Sequence, residues 1–332
     1  MYNRQQSSTK GLVLYIIFFY IIAKWWYYTH PSNVYHYRRK PTKHIPVYNF
    51  TLLPDLDRCR KTENRTPLVI ATVLSLAKDF EKRQAIRKSW ASPKYSQAIK
   101  HQRLVVFFVL SIPRGSSEMD KVLQEQYEYR DIIVTDLVDS YENLVQKVHV
   151  CLTFHFRFCS AVPFLLKVDD DVVVHSDRLL SSWIWDFQSH TRLYCSIHNK
   201  TSPIRDPFNK WYVSKHAWPL KYYPTYCNGP LYVLGNATSK KIAQVSQHFT
   251  PFAMEDVFYT GVVAGSLQIP IVDWTNKIMH LLEPGTTEAT LCDEDGVPLT
   301  IAYYPLPSPK DMRKGFWKLS TSKCPHVQRN TF

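Results

Sequence analysis

From Thr66 onward, short unbroken apolar runs alternate with longer stretches of helical period. The runs LVIATVLSL (68–76), RLVVFFVLSI (103–112), DIIVTDLV (131–138) and PFLLKV (163–168) are short and rich in β-branched and aromatic residues, so they predict strands. Between them, the stretch from Asp79, a candidate cap, to Trp90 predicts a helix. So do MDKVLQEQYEYR (119–130) and YENLVQKVHVCLTFHF (141–156). Strands apolar at successive positions are covered on both faces. Their alternation with helices predicts an α/β fold with a central sheet flanked by helices and a ligand crevice at the carboxyl ends of the strands.

The segment before this body has a different texture. Residues 11–28 are apolar apart from Lys24 and close on two Trp and two Tyr, which predicts a single transmembrane helix with an interfacial aromatic belt. A secretory signal peptide is the alternative, but no A-x-A-like cleavage site follows. Residues 29–65, with Pro31, Pro41, Pro46 and Pro54, read as a stem. The expected order is tail 1–10, anchor 11–28, stem 29–65 and catalytic domain 66–332. Basic residues on both sides of the anchor do not orient it. Four sequons after it, at Asn49, Asn64, Asn199 and Asn236, together with seven cysteines, predict a lumenal body and type II topology. An odd cysteine count leaves at least one unpaired within the chain, and no CxxC spacing indicates zinc.

The net charge of +13 raises the question of nucleic acid, but eleven Lys and Arg against three acids lie within residues 1–65. That basic excess suits a tether at a membrane surface, and no nucleic-acid partner is expected. No G-x-G-x-x-G or G-x-x-x-x-G-K-S/T motif supplies a phosphate cradle.

The candidate chemistry sits where the 163–168 strand ends, at Asp169, Asp170 and Asp171. Adjacent carboxylates repel unless a cation or basic groups neutralise them. Alternate residues of an extended chain share a side, so Asp169 and Asp171 can share one metal. Oxygen ligands favour Mg²⁺ or Mn²⁺, ions that keep positions open for phosphate, so a diphosphate is the expected ligand. A solvated acidic turn is the alternative.

Five blocks resemble the β-1,3-galactosyltransferase family, glycosyltransferase family 31. They are R-x-x-I-R-x-T/S-W at Arg83–Trp90, Y-x-N-L-x-x-K at Tyr141–Lys147, K-x-D-D-D at Lys167–Asp171, Y-P-x-Y-x-x-G at Tyr223–Gly229, and an E-D-V block at Glu255–Gly261. The resemblance implies a GT-A type nucleotide-sugar fold with a mixed central sheet. It also implies Mn²⁺ as cofactor and inverting transfer of galactose from UDP-galactose to a glycan hydroxyl on protein or lipid, at a Golgi membrane with the catalytic domain lumenal. Carried onto this chain, it makes Asp256 the catalytic base and Asp169 and Asp171 the metal ligands. Arg83, Lys167, Asp169 and Asp170 fall on the donor side, and Glu255 orients the acceptor. Trp211, Tyr223, Tyr226 and Gly229 line the sugar pocket. For Arg83 and Arg87 the alternative is a solvated helix face; for the aromatics it is ordinary core.

Two positions depart from the family pattern. Leu231 replaces the second glycine of G-x-G-Y-V, and residues 301–312 lack a histidine that would reach the metal, leaving His280 as the candidate. These departures keep open transfer of N-acetylglucosamine instead of galactose, or a sugar-binding relative without turnover.

Overall fold

The computed structural model describes residues 45, 47–63, 65–113, 115–138, 140, 143–183, 190–280, 292–294 and 296–324, with Phe18, Phe19 and Ile22. Most of the expected transmembrane segment, and Asn64, lie outside the described residues. Among those described, no helix is long and apolar enough to cross a membrane.

Among the described residues, eight strands form one mixed sheet in the order β1 (Phe50–Leu52), then β4-β3-β2-β5-β8-β7-β9. The four predicted strands are β2 (Val69–Leu74), β3 (Leu104–Ser111), β4 (Ile132–Thr135) and β5 (Phe164–Asp169), and they run parallel at its centre. Beside β5 lies β8 (Tyr226–Gly235), antiparallel both to it and to β7 (Leu193–His198), while β9 (Ile271–Asp273) closes the far edge. Because β8 is antiparallel, its beginning meets the carboxyl end of β5. A smaller sheet joins β10 (Ile278–His280), β11 (Ala302–Tyr304) and β6 (Val173–Val174).

Strand alternation divides the core into two layers. Val69, Ala71 and Val73 of β2 pack with Phe164, Leu166 and Val168 of β5 and Leu231 and Val233 of β8. Ile70, Leu74, Leu165, Tyr232 and Leu234 pack on the other side, under the helix Leu144–Phe158. Both faces are covered, which is why these strands read as continuous apolar runs rather than alternating ones.

The predicted helices form at Phe80–Arg87, Ser116–Tyr129 and Leu144–Phe158. The first is shorter than expected, and Trp90 lies beyond its end, buried in a turn. The expected stem also shortens. Phe50–Leu52 forms β1 on β4, and Cys59 is bonded to Cys159 at the end of the Leu144–Phe158 helix, so residues from about 47 onward belong to the folded body. Further disulfides join Cys195 to Cys227 and Cys292 to Cys324, leaving Cys151 buried and unpaired.

Candidate active site

At the carboxyl edge of the sheet, β5 ends, β8 begins, and the segment Met254–Val263 crosses beneath them. Strand parity puts Lys167 in the layer under the Leu144–Phe158 helix, 1% exposed. A lone ammonium there would be prohibitively costly, so it is saturated. Its Nζ donates to Asp169 Oδ1 at 2.7 Å, Gly229 O at 2.6 Å and Glu255 Oε1 at 2.9 Å. Tyr232, the register partner of Lys167, donates its hydroxyl to Glu255 Oε2 at 2.9 Å. Burial opposes the charge on Lys167, but Asp169 and Glu255 outweigh it and raise its pKa. Burial raises Glu255 to about 7, with Lys167 pulling it back.

Glu255 is therefore a buried clamp, 4% exposed, both of its oxygens taken by Lys167 and Tyr232. Burial and these two bonds turn the carboxylate inward, so Glu255 holds Lys167 and Tyr232 in place rather than presenting a solvent-facing group. Its neighbour Asp256 differs. It is half-buried, its Oδ1 accepts from Val257 N at 2.8 Å, and burial raises its pKa to about 6. Asp256 caps a π-helical segment, Val257–Val263, an irregularity that often marks functional sites.

Two glycines let the last two motif blocks interlock. A Cβ on Gly229 would stand 3.2 Å from Asp256 Oδ2, and one on Gly261 would stand 3.0 Å from Pro224 Cγ and Tyr226 Cβ. Thr260 completes the link, donating to Asp256 O at 2.6 Å while accepting from Cys227 N at 2.8 Å. Gly229→Ala should displace the Asp256 carboxylate by a few tenths of an ångström without unfolding the chain. The expected result is a loss of kcat of about tenfold with the melting temperature nearly unchanged, measured by steady-state transfer and thermal denaturation.

Tyr223 and Tyr226 are both buried, their rings 5.9 Å apart, with Trp218 5.3 Å from Tyr223. Tyr226 packs against Gly261 of the E-D-V block, and burial and then the Asp256 carboxylate push its pKa up to about 12. Trp211 is 44% exposed on the loop that precedes this block, with Lys210 Nζ 4.2 Å over its ring.

The three aspartates do not continue the strand. β5 stops at Asp169, and Asp170 and Asp171 form a turn into β6, so the alternation expected to place Asp169 and Asp171 on one side does not extend past Asp169. Asp170 pairs with Lys82 at 2.8 Å, and Asp169 is held by Lys167. Among the described residues Asp171 makes no ion pair. Burial, Asp169 and Asp170 push its pKa up to about 6. Its carbonyl accepts from Leu306 N at 2.7 Å, fixing the turn to the C-terminal segment. No group of three His, Cys, Asp or Glu converges as a ready metal cage among the described residues. An under-neutralised Asp171 beside Asp169 nevertheless fits a hard divalent ion that takes one or two carboxylates and completes its shell with phosphate and water. His280 lies in β10, in register with Tyr304, two strands from β6; its side chain is outside the described residues.

Arg83 corrects a second expectation. It is wholly buried, forks onto Glu125 at 2.8 and 2.6 Å, and donates to Leu76 O at 2.5 Å and Ala77 O at 3.0 Å. Lys147 donates to Ser75 O at 2.6 Å. Two motif cations thus hold the loop after β2, and Arg83 is spent on Glu125 and that loop's carbonyls. Arg87 joins the same network through Glu125 and Asp131, each at 2.7 Å.

Leu231, 1% exposed, packs in the layer opposite Lys167, so it does not face the Glu255–Asp256 side of the site. Of the sequons, Asn49 and Asn199 are exposed, whereas Asn236 is half-buried and starts a helix, its amide donating to Ser160 O at 3.4 Å. Sequence reasoning missed Lys82, Glu125 and Tyr232. Only Tyr232 left a signal, one residue past Leu231 on a strand whose alternate positions face Glu255.

Comparison with known proteins gives the family. The sequence profile of a family described as Galactosyltransferase matches residues 81–275. Beta-1,3-galactosyltransferase 5 of Pan paniscus is 33% identical over 211 residues, 63% of this chain and 67% of its own. Lactosylceramide 1,3-N-acetyl-beta-D-glucosaminyltransferase B of Danio rerio is 33% identical over 64% of this chain and 57% of its own. Beta-1,3-galactosyltransferase 1 of Mus musculus is 29% identical over 69% and 68%. Among solved structures, the apo WbbM bifunctional glycosyltransferase covers 77% of this chain and 50% of its own at 8% identity, with a TM-score of 0.40, too loose to carry an argument. The sequence matches make the chain a glycosyltransferase, an enzyme that moves hexosyl groups. With more than half of its length matched, it belongs to the galactosyltransferase family.

Proposed function

We propose that this chain transfers galactose from UDP-galactose to a glycan hydroxyl on protein or lipid, in β-1,3 linkage and with inversion, on a GT-A type scaffold anchored in the Golgi membrane. The observation that carries the mechanism is the division of labour in the E-D pair. Glu255 is locked beneath Lys167, while Asp256 is half open with Oδ2 toward the space that Gly229 leaves. The acceptor oxygen attacks the anomeric carbon from the face opposite the diphosphate, and its proton passes to Asp256. The bond from that carbon to phosphate breaks with its electron pair leaving on UDP. Asp171 and Asp169 would hold Mn²⁺, which when bound offsets the charge of the departing diphosphate.

Three disulfides among the described residues support a lumenal body, and the mammalian relatives' names support galactose as donor. The zebrafish relative, of equal identity to the bonobo one, motivates UDP-N-acetylglucosamine as the second reading. Leu231 gives no support to an inactive relative, since it packs away from the cluster.

Incubation of the full chain with Mn²⁺, a panel of UDP-sugars and β-linked acceptor glycosides tests the proposal. UDP release and a β-1,3 product with UDP-galactose are expected, and indifference to every UDP-sugar overturns it. Asp171→Ala should weaken Mn²⁺-dependent UDP binding by more than about tenfold in calorimetry. Unchanged binding in that variant would remove Asp171 from the donor site.

A further inference from the structure

On the face of the sheet that carries the Phe80–Arg87 helix, a cavity of about 150 Å³ opens between Trp90, the start of the helix Ser176–Trp183 and the C-terminal helix Pro309–Thr321. None of Lys167, Asp169, Asp171, Gly229, Glu255 or Asp256 lines it. A cavity of that size holds one six-membered ring; lined only by aliphatic and aromatic carbon, it would stay dry and take a hydrocarbon. Here the lining is divided. Phe316 and Trp317 stand 5.6 and 5.9 Å from the ring of Tyr95, and Trp317 remains 55% exposed although its helix buries Phe316 and Leu319.

The rest of the lining is polar, with hydrogen-bonding capacity to spare. Among the described residues, Asp177 Oδ1 accepts from Ser96 Oγ and Ala98 N, whereas Oδ2 accepts only from Gln97 N at 3.2 Å, which leaves it room for another donor. His175 Nδ1 accepts from Arg178 N at 3.2 Å, so the ring proton of the neutral imidazole sits on Nε2 and is available to donate. Burial and Arg178 lower the His175 pKa to about 4, which keeps the ring uncharged at neutral pH. The carboxylate disfavours an anion. Three hydrogen bonds already spent on that carboxylate disfavour a metal. Ring faces combined with one donor and one acceptor suit a neutral sugar ring, whose C–H face covers an aromatic while its hydroxyls both give and accept hydrogen bonds.

We propose that this cavity binds one neutral pyranose unit of a glycan, as a second carbohydrate site apart from the catalytic edge. The two-residue strand β6 separates His175 from the turn that holds Asp171, so a glycan seated here lies on the same molecule as the transfer site without occupying it.

The test uses the full chain labelled with 5-fluorotryptophan, in a non-glycosidic detergent, followed by fluorine NMR. The Trp317 and Trp90 signals are assigned by their loss in Trp317→Phe and Trp90→Phe. Methyl β-galactopyranoside or methyl N-acetyl-β-glucosaminide should shift the Trp317 signal saturably, and acyclic galactitol should not. Trp317→Ala, a truncation at the surface, should weaken binding about tenfold when read on Trp90. An unmoved Trp317 signal, an equal response to galactitol, or unchanged affinity in Trp317→Ala overturns the proposal. Transfer assayed on the same samples keeps the two readings apart, because loss of transfer with these shifts intact counts against the catalytic assignment alone.

Discussion

Asp256→Asn is expected to lower kcat for hexosyl transfer by about a hundredfold to ten-thousandfold, the range for removing a positioned general base, while UDP affinity changes little. Asparagine keeps the shape and can still accept from Val257 N, so the π-helical segment retains its cap. What it loses is the ability to take a proton. Burial raises Asp256 to about 6, and a base works only when deprotonated. In the parent enzyme kcat/KM should therefore rise with pH through about 6 and level off above it. Full transfer in Asp256→Asn would assign the base elsewhere.

Lys167→Met is expected to destabilise the fold by about 3–5 kcal/mol, because a buried cation is removed while Glu255 remains buried and Asp169 loses its partner. The pH dependence distinguishes this from a simple packing defect. Glu255 is already raised to about 7 with Lys167 in place, and without it the folded-state pKa goes higher still. The folded variant then holds a proton that the unfolded chain has released above its ordinary carboxylate pKa. Stability must fall as pH rises across that window. Urea denaturation at pH 5.5 and 8 should show the larger loss at the higher pH. A loss below about 1 kcal/mol at both would mean that the lysine is not the counter-charge of this cluster.

Much of the architecture follows from local pattern. The four central strands lie where apolar runs of β-branched and aromatic residues predict them, since burial on both faces permits little else there. The helices follow from period and caps, with ends moved by a few residues where a turn replaces the last helical residues, as before Trp90. Pattern failed where pairing between distant segments mattered. β1 is three residues long and reads as stem because its order comes from β4 and from the Cys59–Cys159 bond, about 85 and 100 residues away in the chain.

Motif residues were legible as a set, yet their individual roles were not. Arg83 and Glu255 both carry charge at conspicuous positions, and sequence gives no hint of which charged groups face solvent. Arg83 is turned inward because Glu125, on the Ser116–Tyr129 helix, awaits it. Glu255 is turned inward because strand parity puts Lys167 and Tyr232 in the layer above it.

By itself the amino-acid order determined the α/β class and the family, and it marked the motif residues from which the proposed site is drawn, because these rest on short-range periodicity and on motif spacing along the chain. Only the tertiary structure decided that Asp256 is half-buried while Glu255 is buried, that the aspartate run bends after Asp169, and that a second cavity forms beside the C-terminal helix. Each of those depends on which side chains from remote segments compensate a buried charge or leave a gap, and that is settled in three dimensions.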